Sequence, residues 1–352
     1  MAAEHVLLPC RAGFEKECAS EIAALAAADG VEGWLRARPE SGFAVFQAHD
    51  PAAGTAFARR VAPGELVFAR ELVRVGALLA ELPVGERAEP IAAAAQAFGR
   101  SFRSLWIEMP DTNDGKALSA LARPLQPHLE RALAARGIAI DAPGASLRLH
   151  VFLVGSAACY VGVSEAASGS GWPMGIPRLR MPRGAPSRST LKLAEAIGVF
   201  LGPEEGRRMA AGMGAVDLGA APGGWTWQLV RRGLMVTAVD NGPMDAALLE
   251  SGQVRHRRTD GFGYRPPESV DWMVCDMVES PSRIARLAAR WVASGWCRET
   301  IFNLKLPMKK RWEEVLRSRA IIAEELGGRA ARLRMKQLYH DREEISAHLR
   351  LA

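Results

Sequence analysis

The stretch that decides the fold is Val216-Asp217-Leu218-Gly219-Ala220-Ala221-Pro222-Gly223-Gly224-Trp225-Thr226-Trp227-Gln228-Leu229. Its first residues predict a short buried strand, its middle is a run of small residues with one proline, and its end predicts a helix. Such a junction places free backbone N–H groups and a positive helix end at the carboxyl edge of the strand, where open α/β sheets bind ligands. Glycines at three of these positions would let a ligand approach the backbone closely.

The spacing of the glycines narrows the choice of ligand. The pattern D-x-G-x-x-P-G-G lacks the three glycines of a dinucleotide-binding loop, and Trp225 follows Gly224 where a phosphate-binding loop requires lysine. The pattern resembles the first motif of S-adenosylmethionine-dependent methyltransferases, in the version found in RNA ribose 2′-O-methyltransferases. The alternative is an ordinary strand-to-helix turn, and the glycines alone do not separate the two.

Composition sets the broad class. The chain has 352 residues, 49% of them hydrophobic and 24% charged, which suits two or three globular domains. Its net charge of +6 permits a polyanionic partner. Five dispersed cysteines argue against a disulfide framework or a zinc site. We find no signal peptide and no membrane-spanning run, so we expect a cytoplasmic protein with no membrane partner and no metal.

The N-terminal half alternates strand and helix patterns. Residues 1–82 have the β-α-β-β-α-β order of a ferredoxin-like unit, with a helix over Phe14–Ala27, a hairpin over 34–47 and a last strand over Glu65–Val75. Residues 83–165 predict a second α/β unit with a long helix near Lys116–Arg136. Neither unit offers a catalytic cluster, so we interpret this half as a substrate-reading module; a dimerisation or purely structural role is the alternative.

A linker is predicted over residues 166–186, where glycine, proline and serine accumulate. Its charged residues and those just after it are all basic: Arg178, Arg180, Arg183 and Arg188. A basic loop that leads into the motif-bearing half suits a nucleic-acid backbone, although most basic loops are simply solvated.

The C-terminal half, 187–352, alternates regularly between strands and helices. Strands are predicted at 215–218, 235–239, 254–257, 270–275 and 300–304, followed by two more at 331–339 and 345–351. This order predicts a mostly parallel, doubly wound α/β sheet of the Rossmann-like type.

Carboxylates follow three successive predicted strands at their carboxyl ends. Asp240 could accept hydrogen bonds from ribose hydroxyls, Asp260 could bind an adenine amino group, and Asp276 follows the fourth strand. A single aspartate there is usually a turn residue. Three beside one glycine loop favour a cofactor site.

Two lysines suggest how an oxygen could be activated. Lys305 ends an apolar strand, where a solvated lysine is unexpected, and Lys192 opens a helix before the sheet. Burial beside a second cation would lower the pKa of Lys305, so that a neutral amine could take a proton from a ribose hydroxyl. The alternative is that Lys305 extends to solvent at the strand end.

These residues are similar in order to the K-D-K-E tetrad of the FtsJ-like RNA 2′-O-methyltransferases: Lys192, Asp276, Lys305 and Glu343. Residues 187–193 resemble the S-R-x-x-x-K-L entry of that family. Residues 341–343 resemble its S-R-E segment with aspartate in place of serine, and adjacent Glu344 is the alternative fourth member. Further segments, among them 275–279, 295–300 and 303–311, resemble one subfamily, ribosomal RNA large subunit methyltransferase M, and the likeness covers essentially the whole chain.

The resemblance implies a specific reaction. The subfamily methylates the 2′-oxygen of a cytidine of 23S rRNA near the peptidyl transferase centre, on free or partly assembled large-subunit RNA. It implies a THUMP RNA-binding domain over 83–165 and Lys305 as proton acceptor. It also implies that S-adenosylmethionine is held by Ser189, Gly219, Ala221, Pro222, Gly223, Gly224, Asp240, Asp260 and Asp276.

Two other functions stay open on the sequence. One is RNA 2′-O-methylation of a different RNA acceptor, and the other is an RNA-binding assembly factor whose donor site is vestigial. For the RNA methyltransferase, phosphate contacts are predicted at basic positions: Arg178, Arg180, Arg183, Lys309, Lys310, Arg311, Arg332, Arg334 and Lys336.

Overall fold

The structure, a computed structural model, describes residues 5–352 and divides into two compact units between Pro177 and Arg178. Each unit contains one seven-stranded sheet. None of the helices in residues 5–352 combines the length and apolar character needed to cross a lipid bilayer.

The first unit contains seven strands and four α-helices. In chain order they are β1 His5–Pro9, α1 Glu15–Ala28, β2 Gly33–Arg36, β3 Phe43–Ala48, α2 Pro51–Arg60, β4 Val73–Val75, α3 Ala88–Ala95, β5 Ser104–Glu108, α4 Asn113–Ala135, β6 Leu147–Gly155 and β7 Ala158–Glu165. The sheet order is β2-β3-β1-β4-β7-β6-β5. Its first four strands are antiparallel neighbours in the ferredoxin-like order, which confirms that prediction.

The strand predicted over Glu65–Val75 is wrong for most of its length, because only Val73–Val75 is a strand. The carboxylate of Glu21, buried on α1, accepts hydrogen bonds from the backbone N–H groups of Val67 (2.6 Å) and Phe68 (2.9 Å). These N–H groups are therefore bound by a helix side chain and not by a neighbouring strand.

Pairing between β4 and β7 joins the strands of residues 1–82 and those of residues 83–165 into one sheet, which the sequence pattern did not predict. Val75 lies opposite Gly162, where a Cβ atom would come within 2.2 Å of the Arg74 carbonyl oxygen. Only glycine lets the two backbones come this close.

Residues 166–177, the first part of the predicted linker, pack onto this sheet. The buried carboxylate of Glu71 accepts a hydrogen bond from the Ser170 N–H (2.7 Å), and that of Glu108 accepts one from the Met174 N–H. Met174 and Ile176 are buried. Residues 166–177 are therefore held by the first unit. The position at which a functional linker begins stays a prediction.

The second unit contains seven strands and six α-helices. They are α5 Thr190–Phe200, α6 Glu205–Arg208, β8 Gly214–Leu218, α7 Gly224–Val230, β9 Met235–Val239, α8 Ala246–Glu250, β10 Val254–Arg257, β11 Val270–Cys275, α9 Pro281–Ala293, β12 Cys297–Lys305, α10 Arg311–Leu326, β13 Ala331–Lys336 and β14 Glu344–Leu351. Strands β8 to β12 were predicted to within three residues at each end. Helix α10 was not predicted, because its buried positions are few and include Ser318.

The second sheet has the order β10-β9-β8-β11-β12-β14-β13, with β8 to β12 parallel and β14 antiparallel to β12. This confirms the mostly parallel Rossmann-like sheet. Its strand order reverses between β8 and β11, and the loops after the five parallel strands leave the same edge. Trp225 and Leu229 of α7 pack with Trp272 and Ile301 of the sheet in the main core of this unit.

Candidate active site

The glycine loop after β8 is packed too closely for side chains. Gly219 has a φ of +77°, and a Cβ atom there would lie 2.6 Å from the Met277 side chain. At Gly224, a Cβ atom would lie 2.2 Å from Ser189 Oγ and 2.3 Å from Ser187 Oγ. The positive φ and the loop after β11 therefore require glycine at position 219, and the serine hydroxyls before α5 lie close against Gly224.

Asp240, at the end of β9, fastens this loop. Its Oδ2 accepts a hydrogen bond from the Ala221 N–H (3.0 Å), and its Oδ1 accepts one from the Gly242 N–H (2.7 Å). Asp260 is exposed and accepts hydrogen bonds from the N–H groups of Phe262 and Gly263, both at 3.2 Å, so it closes its own turn.

Lys192, Asp276, Lys305 and Glu344 form an alternating ring of charges, here called the ion-pair ring. The Lys305 amine donates to both Asp276 Oδ1 and Glu344 Oε2. The Lys192 amine pairs with Glu344 Oε1 and lies 3.5 Å from Asp276 Oδ2. Two ammonium groups thus share two carboxylates at the carboxyl edge of the sheet.

Glu343 does not lie in this ring, so the prediction that Glu343 joins the two lysines needs correction. Its side chain is 59% exposed and pairs with Arg311 at 2.6 Å, whereas that of Glu344 is 6% exposed. The cause is strand register: Glu344 begins β14 directly opposite Lys305, and its neighbour points the other way.

The expected lowering of the Lys305 pKa is also wrong. Burial by itself lowers the pKa of this amine, but the negative charges of Asp276 and Glu344 and the hydrogen bonds to them outweigh burial, so that the pKa is raised above its ordinary value. Burial raises the pKa of the Glu344 carboxyl, yet Lys305 and Lys192 outweigh that effect and lower it. The sequence suggested a second cation beside Lys305, but it did not show that two anions lie between the cations.

Glu195 holds the turn that leads to Glu344. It lies on α5 one turn after Lys192, is buried, and accepts hydrogen bonds from the N–H groups of Tyr339 (2.8 Å) and His340 (2.9 Å). The strand predicted over 331–339 ends at Lys336, because the N–H groups of Tyr339 and His340 bind Glu195 and not a neighbouring strand.

Asp217, at the end of β8, is a polar group of the site that sequence reasoning did not single out. It is 1% exposed, its Oδ2 accepts a hydrogen bond from the Thr226 hydroxyl (2.6 Å), and its Oδ1 has no hydrogen-bond partner among the described residues. Burial raises its pKa to about 7, with Thr226 opposing the rise and the charges of Asp276 and Asp240 adding to it. A buried carboxylate oxygen without a donor, at the base of the glycine loop, fits a ligand that brings a cation or an N–H group.

The raised pKa of Asp217 gives a pH-dependent stability. An acid whose pKa is higher in the folded than in the unfolded chain stabilises the fold below its unfolded value and loses that stabilisation as the pH rises towards about 7. Asp217→Asn should therefore lose less stability than wild type between pH 5 and pH 8, by on the order of a few kcal/mol. Urea midpoints measured across this range would check it, and parallel curves for the two proteins would contradict it.

The predicted phosphate contacts differ in how accessible they are. Arg178, Arg180, Arg183, Lys309, Lys310 and Arg332 are exposed. Arg311 is bound to Glu343 with 16% of its side chain exposed, Arg334 donates to the Phe200 carbonyl, and Lys336 is buried. The burial of Lys336 argues against its predicted phosphate contact, whereas those of Arg311 and Arg334 stay predictions. Among the described residues, no cluster of three or more histidine, cysteine or acidic side chains could hold a metal ion.

Comparison with known proteins first gives a class: residues 185–297 match the FtsJ-like methyltransferase family. Residues 3–73 match the RlmM ferredoxin-like domain, and residues 86–165 match the N-terminal domain of ribosomal RNA large subunit methyltransferase M. Proteins of that name from Methylococcus capsulatus and Aromatoleum aromaticum are 51% and 49% identical, over 98% and 100% of this chain and 98% and 96% of theirs. The chain belongs to the ribosomal RNA large subunit methyltransferase M family.

Among solved structures, TrmN from Thermus thermophilus covers 99% of each chain with 16% identity and a TM-score of 0.37, a similarity too low to carry an argument. The family match confirms a Rossmann-like methyltransferase domain preceded by a ferredoxin-like domain, and an enzyme that uses S-adenosylmethionine. The THUMP assignment for 83–165 stays a prediction.

Proposed function

We propose that the protein transfers a methyl group from S-adenosylmethionine to the 2′-oxygen of a cytidine ribose in 23S rRNA, near the peptidyl transferase centre. Methylation of large-subunit rRNA follows from the family to which the chain belongs. Our proposal adds the finer parts: the ribose oxygen, the cytidine, free or partly assembled cytoplasmic RNA as the form that is methylated, and the residue roles given below. The ion-pair ring beside the glycine loop is the observation that carries it.

The cofactor would lie at the carboxyl edge of β8 to β11. We assign its binding to the glycine loop, Asp240, Asp260 and Asp276, which follow parallel strands at one edge of the sheet, and to Ser189, whose hydroxyl lies against Gly224. Asp217 Oδ1 supports this assignment, because it is a buried acceptor that receives no hydrogen bond from the described residues. When bound, S-adenosylmethionine supplies an electrophilic methyl group on a positively charged sulfur, and a positive charge nearby favours a neutral lysine amine.

Lys305 is proposed as the proton acceptor. In the ion-pair ring its amine is charged, so it must first lose a proton, and its 24% exposed side chain gives that proton a route to water. The neutral amine can then accept the proton of the ribose hydroxyl as the oxygen attacks the methyl carbon. Asp276 and Glu344 hold the remaining N–H bonds of the amine and thereby aim its lone pair. Lys192 balances their charge.

The loops around Lys305 offer a surface for an RNA strand. Val278, after β11, is 92% exposed, and Met308, after β12, is 89% exposed. Because β11 and β12 are parallel neighbours, both apolar side chains lie on the edge that carries Lys305. Exposed Lys309 and Lys310 follow Met308 directly. Apolar surface for a base beside cations for phosphates supports an RNA acceptor.

In the first unit, a cleft of about 570 Å³ supports the substrate-reading interpretation. Its lining includes Arg36, Arg38, Phe43 and Tyr160, together with acidic Glu40 and Asp114. Guanidinium groups beside aromatic rings suit an unstacked nucleotide.

Methyl transfer to unmodified 23S rRNA, followed by nuclease digestion and mass spectrometry, tests the proposal. We expect one 2′-O-methylcytidine near the peptidyl transferase centre. A methyl group on a base, or on a different RNA, would replace the proposed acceptor. RNA binding without any transfer would favour an assembly factor.

Replacing both Lys309 and Lys310 by alanine should weaken RNA binding and make it less sensitive to salt. Each phosphate contact contributes roughly 0.7 to 0.9 to the slope of log K against log salt concentration, so the slope should fall by up to about 2. Filter binding from low to high salt measures this. As a control, Arg207 and Arg298 are 75% and 76% exposed and lie near the opposite edge of the sheet, so their double alanine variant should keep the wild-type slope. Equal slopes in all three proteins would remove the phosphate contacts at Lys309 and Lys310.

A further inference from the structure

Three buried polar side chains lie behind the ion-pair ring, inside an otherwise apolar part of the sheet. Asn303 of β12 and Ser346 of β14 face each other in the strand pairing, and Asp341 precedes β14. Asn303, Ser346 and Asp341 are each 0% exposed. Burying polar groups costs free energy unless they are hydrogen-bonded to one another, so their contacts define what this cluster does.

The contacts fix the direction of the Asn303 amide. Its Nδ2 lies 3.2 Å from Asp276 Oδ1, the oxygen that also accepts from the Lys305 amine, so the amide donates. Its Oδ1 therefore faces Ser346 Oγ at 2.8 Å and accepts the hydroxyl proton. Asp276 Oδ1 thus receives both the Asn303 amide and the Lys305 amine, while its Oδ2 faces Lys192.

Asp341 closes the cluster. Both of its carboxyl oxygens lie 3.2 to 3.3 Å from Ser346 Oγ, and its Oδ2 accepts a hydrogen bond from the Leu338 N–H (3.0 Å). The Ser346 hydroxyl has one proton, and it donates that proton to Asn303 Oδ1, which is nearer than either oxygen of Asp341. A protonated Asp341 can instead donate to Ser346 Oγ, and then every polar atom in this line has a matching partner.

The surroundings of Asp341 favour that neutral form. Burial raises the pKa of Asp341 well above its ordinary value, and the negative charges of Glu344 and Glu195 raise it further, against the Leu338 N–H and the charge of Lys192. The charged groups that face it come from α5 and β14, and His340, bound to Glu195, lies in the same turn.

We propose that Asn303 is a positioning residue for methyl transfer: backed by Ser346 and a neutral Asp341, its amide fixes the Asp276 carboxylate and thereby the two lysine amines of the ion-pair ring. This inference rests on the proposed function, in which Lys305 accepts the proton. Without the amide, the Asp276 carboxylate can rotate, and a shift of about 1 Å in a reacting group can reduce the rate roughly 100-fold.

Asn303→Ala should lower kcat by a factor of about 10 to 100 and change the KM values for RNA and S-adenosylmethionine by less than about 3-fold. The matched control is Thr300→Val, which removes another fully buried polar group of β12, one whose hydroxyl contacts Met273 and not the ring. It should destabilise the protein without lowering kcat. Melting temperatures and cofactor binding show that each variant is folded.

Three further variants separate positioning from general packing. Asn303→Asp adds an anion beside Asp276, which favours charged lysines, so its pH–rate profile should move to higher pH. Asp341→Asn can donate to Ser346 and accept from Leu338 as the neutral acid does, so it should retain far more activity than Asp341→Leu, which can do neither.

The proposal is overturned if folded Asn303→Ala turns over at the wild-type rate, if Thr300→Val loses as much kcat, if the pH–rate profile of Asn303→Asp matches wild type, or if Asp341→Asn is as inactive as Asp341→Leu. All variants are scored relative to wild type on the same RNA. The proposed function is judged separately, by where the wild-type enzyme places the methyl group.

Discussion

Lys305→Ala should lose methyl transfer by a factor of about 1,000 and still bind S-adenosylmethionine nearly as well as wild type. The substitution removes the amine that we propose as proton acceptor. The glycine loop and Asp240, which we assign to the cofactor, make their own hydrogen bonds without Lys305. Single-turnover transfer to 23S rRNA and calorimetric cofactor binding measure the two effects separately. Arg298→Ala, which removes an exposed side chain near the opposite edge of the sheet, should keep the wild-type rate of single-turnover transfer at saturating RNA.

The same assignment fixes the sign of the pH dependence. Asp276 and Glu344 raise the pKa of Lys305, so only a small fraction of this amine is neutral near pH 7. That fraction grows with pH, and the rate of the chemical step should therefore rise from neutral to alkaline pH. A wild-type rate that falls over this range, or full activity in Lys305→Ala, would remove Lys305 as the proton acceptor.

Glu344→Gln should reduce the rate about 100-fold or more, whereas Glu343→Gln should stay within about 3-fold of wild type. Glu344 contacts both lysines through its two oxygens and is almost fully buried, and a glutamine offers only one acceptor oxygen there, so the Lys305 amine loses a contact that aims it. Glu343 pairs with Arg311 at the surface, where an ion pair contributes at most about 1 kcal/mol. The two variants make the same chemical change at adjacent positions, so each serves as the control for the other.

Rates and melting temperatures for both variants decide the assignment. Breaking a buried ion pair by removing one partner costs about 3 to 5 kcal/mol, so Glu344→Gln should also melt earlier. Glu344→Asp, which keeps the charge, tests whether geometry as well as charge is required and should regain part of the activity. The reverse pattern, with Glu343→Gln inactive and Glu344→Gln active, would make Glu343 the glutamate that acts with Lys192, Asp276 and Lys305.

Some of the site could be predicted because its elements are local. The glycine loop, the aspartates after β9 and β11, and Lys305 at the end of β12 each follow a strand whose hydrophobic pattern is plain in the sequence. Parallel strands have their carboxyl ends at one edge of the sheet, so the sequence alone predicts that these residues lie together.

Other parts depended on contacts that no local pattern records. Asn303 and Ser346 are polar residues within apolar strands, which was a visible signal, but their partners lie across the pairing of β12 with β14. Helix α10 carries few buried positions, and residues 66–69 look like a strand until Glu21 is seen to take two of their N–H groups.

By itself, the sequence determined the five parallel strands of the second unit, the Rossmann-like sheet, the methyl donor and the family, because these follow from periodicity, from glycine spacing and from segments that resemble known relatives. Only the tertiary structure decided which glutamate faces the lysines and which way the Lys305 pKa shifts. Both depend on the register between β12 and β14 and on the position of α5, which set the distances between charges. Electrostatic energy varies with those distances and with burial, and neither can be read from residues that lie far apart in the chain.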